Sequence, residues 1–207
     1  MAGNVKVRIN VQKLKKTLDN NLSQKKVREA AYNKAVELVD EIVKDTVDEF
    51  DAHPVTTELE QGPSAPNLSN TVSEGNLFSF IGFNAADDPI AGLRKYLKNT
   101  GKVYKNSKLV KSEKTNYVFR VDPPDMVAIE NITPLPFEKG RSWVKGVESR
   151  ISNIGNYIFR KTNTGRSKVG IQAKGNKKPI RPDARFTPTV YMTEIIRFFK
   201  ERLRAIR

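Results

Sequence analysis

The stretch KKVREAAYNKAVELVDEIVKDTVDEF, residues 25–50, leaves this chain little choice about its first large element. Val27, Ala31, Ala35, Leu38 and Ile42 recur at three- and four-residue spacing, which places them on one face of an α-helix. Val39, Val43 and Phe50 widen that stripe to nearly half the cylinder, more than a narrow seam needs. Ser23 is placed to cap the helix, because its hydroxyl can accept from the free N–H groups of the first turn. Glu37, Asp40, Glu41 and Asp48 gather on the opposite face, either as a solvated surface or as a dock for a neighbouring subunit's basic tail. A shorter helix is expected around residues 11–18, inside an N-terminal extension covering 1–24.

Residues 53–74 read as a loop, since Pro54, Pro63 and Pro66 cannot donate ladder or helix hydrogen bonds. NLFSFIGF, residues 76–83, has apolar side chains on both faces of an extended chain and predicts a buried central strand. Asp88 just before Pro89 predicts a helix N-cap with proline at the first helical position, and Asp87 adds negative charge near the helix's positive end. Arg94, Lys95 and Lys98 suit the far end of that helix, with Gly101 just beyond. Residues 101–115 form a lysine-rich arm, a protruding hairpin or loop. NYVFRV (116–121) and MVAIENI (126–132) predict two more strands, separated by a turn at Pro123 and Pro124.

Ser142 can cap a further helix, along which Val144, Val147, Ile151, Ile154 and Ile158 recur at helical spacing. Gly146 and Gly155 each weaken that helix by about 1 kcal/mol relative to Ala, for which close backbone packing would compensate. Residues 161–187 form a basic arm with a short strand at 168–172. A last helix is signalled by Thr187 as cap and Pro188 at its first position. Met192, Ile195, Ile196, Phe199, Leu203 and Ile206 cover about a third of its circumference. Tyr191 and Phe198 lie on a flank that either extends the core contact or meets another subunit. The elements add up to one α+β domain over 1–207. It has a small central β-sheet packed by a long N-terminal helix, middle helices and a C-terminal helix, with basic loop arms.

Charge is unevenly spread. Residues 1–138 hold 19 Lys+Arg and 19 Asp+Glu, whereas 139–207 hold 18 Lys+Arg and 4 Asp+Glu, so the whole net charge of +14 sits in the last third. Such asymmetry points to a surface facing nucleic acid or an acidic protein, against the plainer reading of a basic face that aids solubility. In the basic arm Arg166, Lys168, Lys174, Lys177, Lys178, Arg181 and Arg185 are candidates to face DNA or a partner. No aromatic residue lies between 161 and 185, which favours phosphate contact over base stacking.

Catalytic chemistry has little to work with. There is no cysteine, which excludes a disulfide framework, a thiolate nucleophile and a Cys-ligated metal. His53 is the only histidine and reads as an ordinary loop residue. No G-x-S-x-G elbow, P-loop or dinucleotide fingerprint occurs. Asp87 with Asp88, and Asp122 with Asp125, are the pairs a metal-dependent nuclease could use. Capping and turn roles account for all four. No cofactor and no metal site are assigned, and no enzyme activity is expected. MAGNVKVRIN lacks the apolar core of a signal peptide, and no run reaches the ~18 apolar residues of a membrane helix. A soluble protein made in a cytoplasm, with no membrane contact, is the expectation.

Two stretches, LFSFIGFNAADDPIAGLRKYL and ITPLPFEKGRSWVKGVESRISNIGNYIF, resemble structural proteins of the head-to-tail junction of long-tailed bacteriophages. These are the neck or tail-completion proteins, similar in kind to the minor tail protein Z group. Phe78, Phe80, Ile81, Gly82, Asp88 and Pro89 carry the resemblance in the first stretch. In the second, Pro134, Pro136, Gly140, Arg141, Ser142, Trp143, Ile151 and Gly155 carry it. The resemblance covers most of 25–207 and implies a virion component with no enzyme activity. It implies a ring of identical copies, commonly six; in such a ring the helix flank of Tyr191 and Phe198 and the acidic face of Glu37, Asp40 and Glu41, singled out above, are the candidate subunit contacts. The partners it implies are a head connector or head-completion protein on one side and a tail terminator or tail tube protein on the other. Double-stranded DNA would pass through the lumen. Residues 101–115 match nothing in that pattern. The alternatives are a sequence-independent DNA-binding protein and, more remotely, the metal nuclease.

Overall fold

The computed structural model describes residues 5–10, 24–73, 75–105, 116–136, 138–149, 159–160, 171–172 and 186–206. Seven α-helices occur among them: α1 (Gln24–Ala52), α2 (Pro54–Glu60), α3 (Leu77–Ile81), α4 (Ala91–Lys98), α5 (Met126–Ile132), α6 (Trp143–Ser149) and α7 (Met192–Ala205). With them go β1 (Val5–Asn10), β2 (Val103–Tyr104), β3 (Asn116–Val121), β4 (Pro134–Leu135), β5 (Glu138–Ser142), β6 (Phe159–Arg160) and β7 (Ile171–Gln172). The fold is α+β. The chain gathers into two compact units, one from Met1–Phe50, Arg94–Met126 and Thr193–Arg207, the other from Asp51–Leu93 and Val127–Met192.

The first unit is built on an antiparallel sheet of order β1-β3-β2. β1 and β3 pair over their full length, from Val5 opposite Val121 to Asn10 opposite Asn116. Period-two alternation sends Val7 and Ile9 of β1 and Phe119 and Val121 of β3 to the same side. There they join Val27, Ala31, Ala35, Val39 and Ile42 of α1, with Phe199 and Leu203 of α7, in one buried cluster. Each large apolar side chain buried this way stabilises the unit by about 1.5–3 kcal/mol. The predicted long helix and the NYVFRV strand both form. Gly101 is pinned beside them: its N–H donates to the Asp122 carbonyl at 3.1 Å, and its φ is +77°. A Cβ there would meet Val43 Cγ2 at 2.7 Å and Val39 Cγ1 at 2.9 Å, so both the space and the backbone angle require glycine.

The second unit departs from expectation in four places. The predicted strand at 76–83 is helix α3. The Asn76 side-chain oxygen accepts from Ser79 N–H at 2.9 Å, and Gly82, in the left-handed region at φ +91°, donates back to the Phe78 carbonyl. Both ends of a single turn are thereby closed, and the apolar run buries Leu77, Phe78 and Ile81 as a helix. The predicted strand at 126–132 is helix α5, closed by the Thr133 hydroxyl donating to the Ile129 carbonyl at 2.8 Å. The predicted loop at 53–74 contains α2, because Pro54 occupies the first helical position, where a missing N–H has no consequence. Finally, the last helix starts at Met192 and not at Pro188. Residues 187–191 are held outside the helix by Thr187 N–H to the Thr71 carbonyl (2.8 Å) and Thr189 N–H to the Val147 carbonyl (3.2 Å).

Two capping hydrogen bonds form as expected, although α4 begins at Ala91 and Pro89 lies in the turn before it, not at the first helical position. Ser142 Oγ accepts from Lys145 N–H at 3.2 Å at the start of α6. Asp88 Oδ1 accepts from Ile90 N–H at 3.1 Å and Ala91 N–H at 2.9 Å at the start of α4. Trp143, Tyr191, Phe78, Leu59, Leu77 and Ile81 are among the unit's fully buried side chains. β4 and β5 pair as a short antiparallel ribbon, and β6 pairs with β7 inside the expected 168–172 strand. The Ser23 cap, the helix at 11–18, positions 106–115 of the lysine-rich arm and positions 151–158 lie outside the described residues.

Candidate functional site

On α1, Glu37, Asp40, Glu41 and Asp48 are all exposed, as the helical phase requires. Glu37, Asp40 and Glu41 line a shallow open depression together with Asn33, Val36 and Lys44. Lys34 Nζ bridges Glu37 at 2.9 Å, an exposed i, i+3 pair that contributes at most a few tenths of a kcal/mol. The strip is therefore a solvated acidic surface carried on a rigid helix. Phe198, on α7, is half-buried with the Arg202 guanidinium 5.9 Å from its ring, and Arg202 is itself paired with Asp45.

Tyr191 does not share that role. It precedes the first residue of α7, so the helical phase that put it on a flank does not apply. It is fully buried in the second unit, its hydroxyl 2.8 Å from Thr56 Oγ1, its ring 4.8 Å from His53 and 6.3 Å from Trp143. Tyr191 is a core residue and offers no surface to another subunit. His53 is structural as well: its Nδ1 accepts from Val55 N–H at 3.2 Å and caps α2. The seven basic candidates Arg166, Lys168, Lys174, Lys177, Lys178, Arg181 and Arg185 lie outside the described residues.

The four aspartates considered for metal chemistry have local partners. Asp88 caps α4, and Asp87 Oδ2 accepts from Asn84 N–H at 2.7 Å and Asn84 Nδ2 at 3.1 Å. Asp122 accepts from the Tyr104 hydroxyl and, at 3.1 Å, from Arg120, whose guanidinium lies 4.9 Å from the Tyr104 ring centroid. That hydrogen bond to Asp122, with lesser contributions from lost hydration and the carboxylate's charge, raises the Tyr104 phenol above its ordinary pKa. Asp125 N–H donates to the Tyr96 hydroxyl at 2.9 Å, and burial raises the Tyr96 phenol as well. Among the described residues, no three His, Asp or Glu side chains converge as a metal site requires.

One constellation escaped the sequence reading. Lys25, Arg28 and Tyr32 share a face of α1 at i, i+3 and i+7, and a cavity of about 280 Å³ opens beside them. Phe119 of β3, Lys105, just after β2, and Glu29 of α1 complete its lining. The Tyr32 and Phe119 rings meet edge to face at 5.9 Å. Arg28 Nη2 donates to the Lys105 carbonyl at 3.1 Å, and Lys105 Nζ lies 5.2 Å from the Tyr32 ring centroid. The helical stripe was visible in the sequence, but its partners come from residues 77 and 91 positions away and no local pattern links them. No family model, curated protein or solved structure matches this chain.

Proposed function

We propose that this chain is a virion structural protein of the neck or tail-completion type. Copies form a ring, six in number, that joins the head connector to the tail around the DNA path. One observation carries the reading: α1 exposes Glu37, Asp40 and Glu41 as an acidic strip, in a chain whose last third holds all of its excess positive charge. Opposite charges on separate parts of one chain favour a head-to-tail contact between copies, and such a contact closes into a ring when the rotation permits. The resemblance of the 77–97 and 132–159 stretches to phage neck proteins points the same way. Asp88 caps α4, and Asp87 and Asp122 accept hydrogen bonds from neighbours close in sequence or sheet, so those three carboxylates have a folding function, which agrees with a non-enzymatic part.

The test is assembly. The purified chain, alone and mixed with phage tails or connectors, is imaged by negative stain and sized by light scattering. Rings, or density at the tail end, are expected. The variant E37K/D40K/E41K should keep its helical content and lose the rings. A chain that stays monomeric, binds neither tails nor connectors and coats plain DNA would overturn this reading in favour of a sequence-independent DNA-binding protein, which the concentrated basic charge also favours.

A further inference from the structure

We propose that the cavity at the start of α1 is a phosphate-binding site, with Lys25, Arg28 and Lys105 as its donors. Its volume of about 280 Å³ falls just under the ~300–1,000 Å³ of pockets that take drug-sized ligands, so it suits one compact group. Three cationic side chains from two separate segments converge on it, against the single carboxylate of Glu29. No ion pair among the described residues engages Lys25, Arg28 or Lys105. A tetrahedral group with several oxygens can meet three such donors together, whereas a carboxylate presents only two. Arginine adds a planar fork suited to phosphate oxygens.

The surroundings sharpen the choice. Tyr32 and Phe119 form an apolar back wall, which lowers the local dielectric and strengthens the attraction between an anion and the three cations. Arg28 is held in place by its bond to the Lys105 carbonyl, and Lys105 by the Tyr32 ring, so two donors are oriented before any ligand arrives. The first turn of α1 contains no acidic residue and carries Lys25 and Lys26 instead. That placement is unfavourable for the helix dipole on its own, and a bound anion would offset it.

The phosphate can belong to a DNA backbone or to a free small molecule, and two probes separate these. Duplex DNA is titrated by fluorescence anisotropy between about 50 and 200 mM salt, where each lost phosphate contact flattens the log–log slope by about 0.9. Inorganic phosphate is titrated by phosphorus NMR line broadening. K25Q is the main variant, because Lys25 makes no hydrogen bond among the described residues and its loss leaves packing intact. R28Q supports it, and K95Q, an exposed cation on α4, controls for bulk charge.

If DNA is the source, K25Q and R28Q flatten the salt slope and K95Q does not. If free phosphate is the source, its line broadens with wild type and sharpens again with K25Q but not with K95Q. Absence of binding in both titrations, or equal effects of K25Q and K95Q, overturns the site. The site does not rest on the ring reading: a chain that assembles into rings yet binds no phosphate would refute the site and leave the ring standing.

Discussion

Glu58 is the residue whose replacement should weaken the second unit most for the fewest atoms changed. It lies on α2 with no exposed surface. Its Oε2 accepts from Ser69 N–H at 2.7 Å and its Oε1 from Leu77 N–H at 2.5 Å. The two oxygens thus hold both ends of the segment leading into α3, and each satisfies a backbone donor. E58Q keeps the size but offers one acceptor, and turns an NH2 toward the other donor. One buried N–H left without a partner should cost about 1–3 kcal/mol. E58A leaves both donors unmet, for about 2–6 kcal/mol. Trp143, 2% exposed in the same unit and the only tryptophan, reports the unfolding by its fluorescence. With a urea slope of about 2 kcal/mol/M, a 2 kcal/mol loss in E58Q lowers the midpoint by about 1 M. An unchanged midpoint in E58Q would show that the two oxygens are not both needed and would refute the reasoning.

Further outcomes follow from other sites. G101A should destabilise the first unit by about 2–4 kcal/mol, since it meets two valine methyl groups and a left-handed backbone together; thermal melting measures it. D88A should cost about 1 kcal/mol as a lost cap, with D88N recovering most of it in chemical denaturation. Tyr96 and Tyr104, both with raised phenol pKa, should ionise later than a free phenol in an ultraviolet absorbance titration. A raised pKa means that the folded state favours the neutral phenol. The stability this contributes is therefore complete below the ordinary value of 10.0 and is lost as pH climbs through the folded-state value. Y104F should remove that component, detected as a smaller loss of stability above pH ~10.

Much of the first unit was legible because its signals are periodic. The α1 stripe runs over several turns, and NYVFRV alternates buried and exposed side chains. Short elements were not, because five or seven residues contain too little periodicity to outvote composition. LFSFI carries strand-like composition, yet Asn76 before it and Gly82 after it are a helix start and stop six residues apart, and that bracketing is what decides the local structure. MVAIENI buries only Ile129, so no stripe betrays its helix. Tyr191 was misplaced by a boundary: extending α7 four residues too far assigned a helical phase to a residue that has none. The acidic strip of α1 followed from the same periodicity as the core, being its other face. The cavity at Lys25, Arg28 and Lys105 did not, because non-local packing alone brings its walls together.

β1 stands at one end of the three-stranded sheet, with β3 as its only strand neighbour among the described residues. An outer edge of this kind can recruit a strand from a second molecule and grow without limit. Here Lys6 and Arg8 are exposed while Val7 and Ile9 are buried. If two copies of VKVRIN paired antiparallel with matching faces, every central register would set a cation against a cation: Lys6 on Lys6, Lys6 on Arg8, or Arg8 on Arg8. Shifting by one residue to escape this would set valine and isoleucine against the charged face. The edge is thus closed to copies of itself and open to a strand bearing carboxylates or neutral side chains, which protects a concentrated solution of this protein from fibrous aggregation.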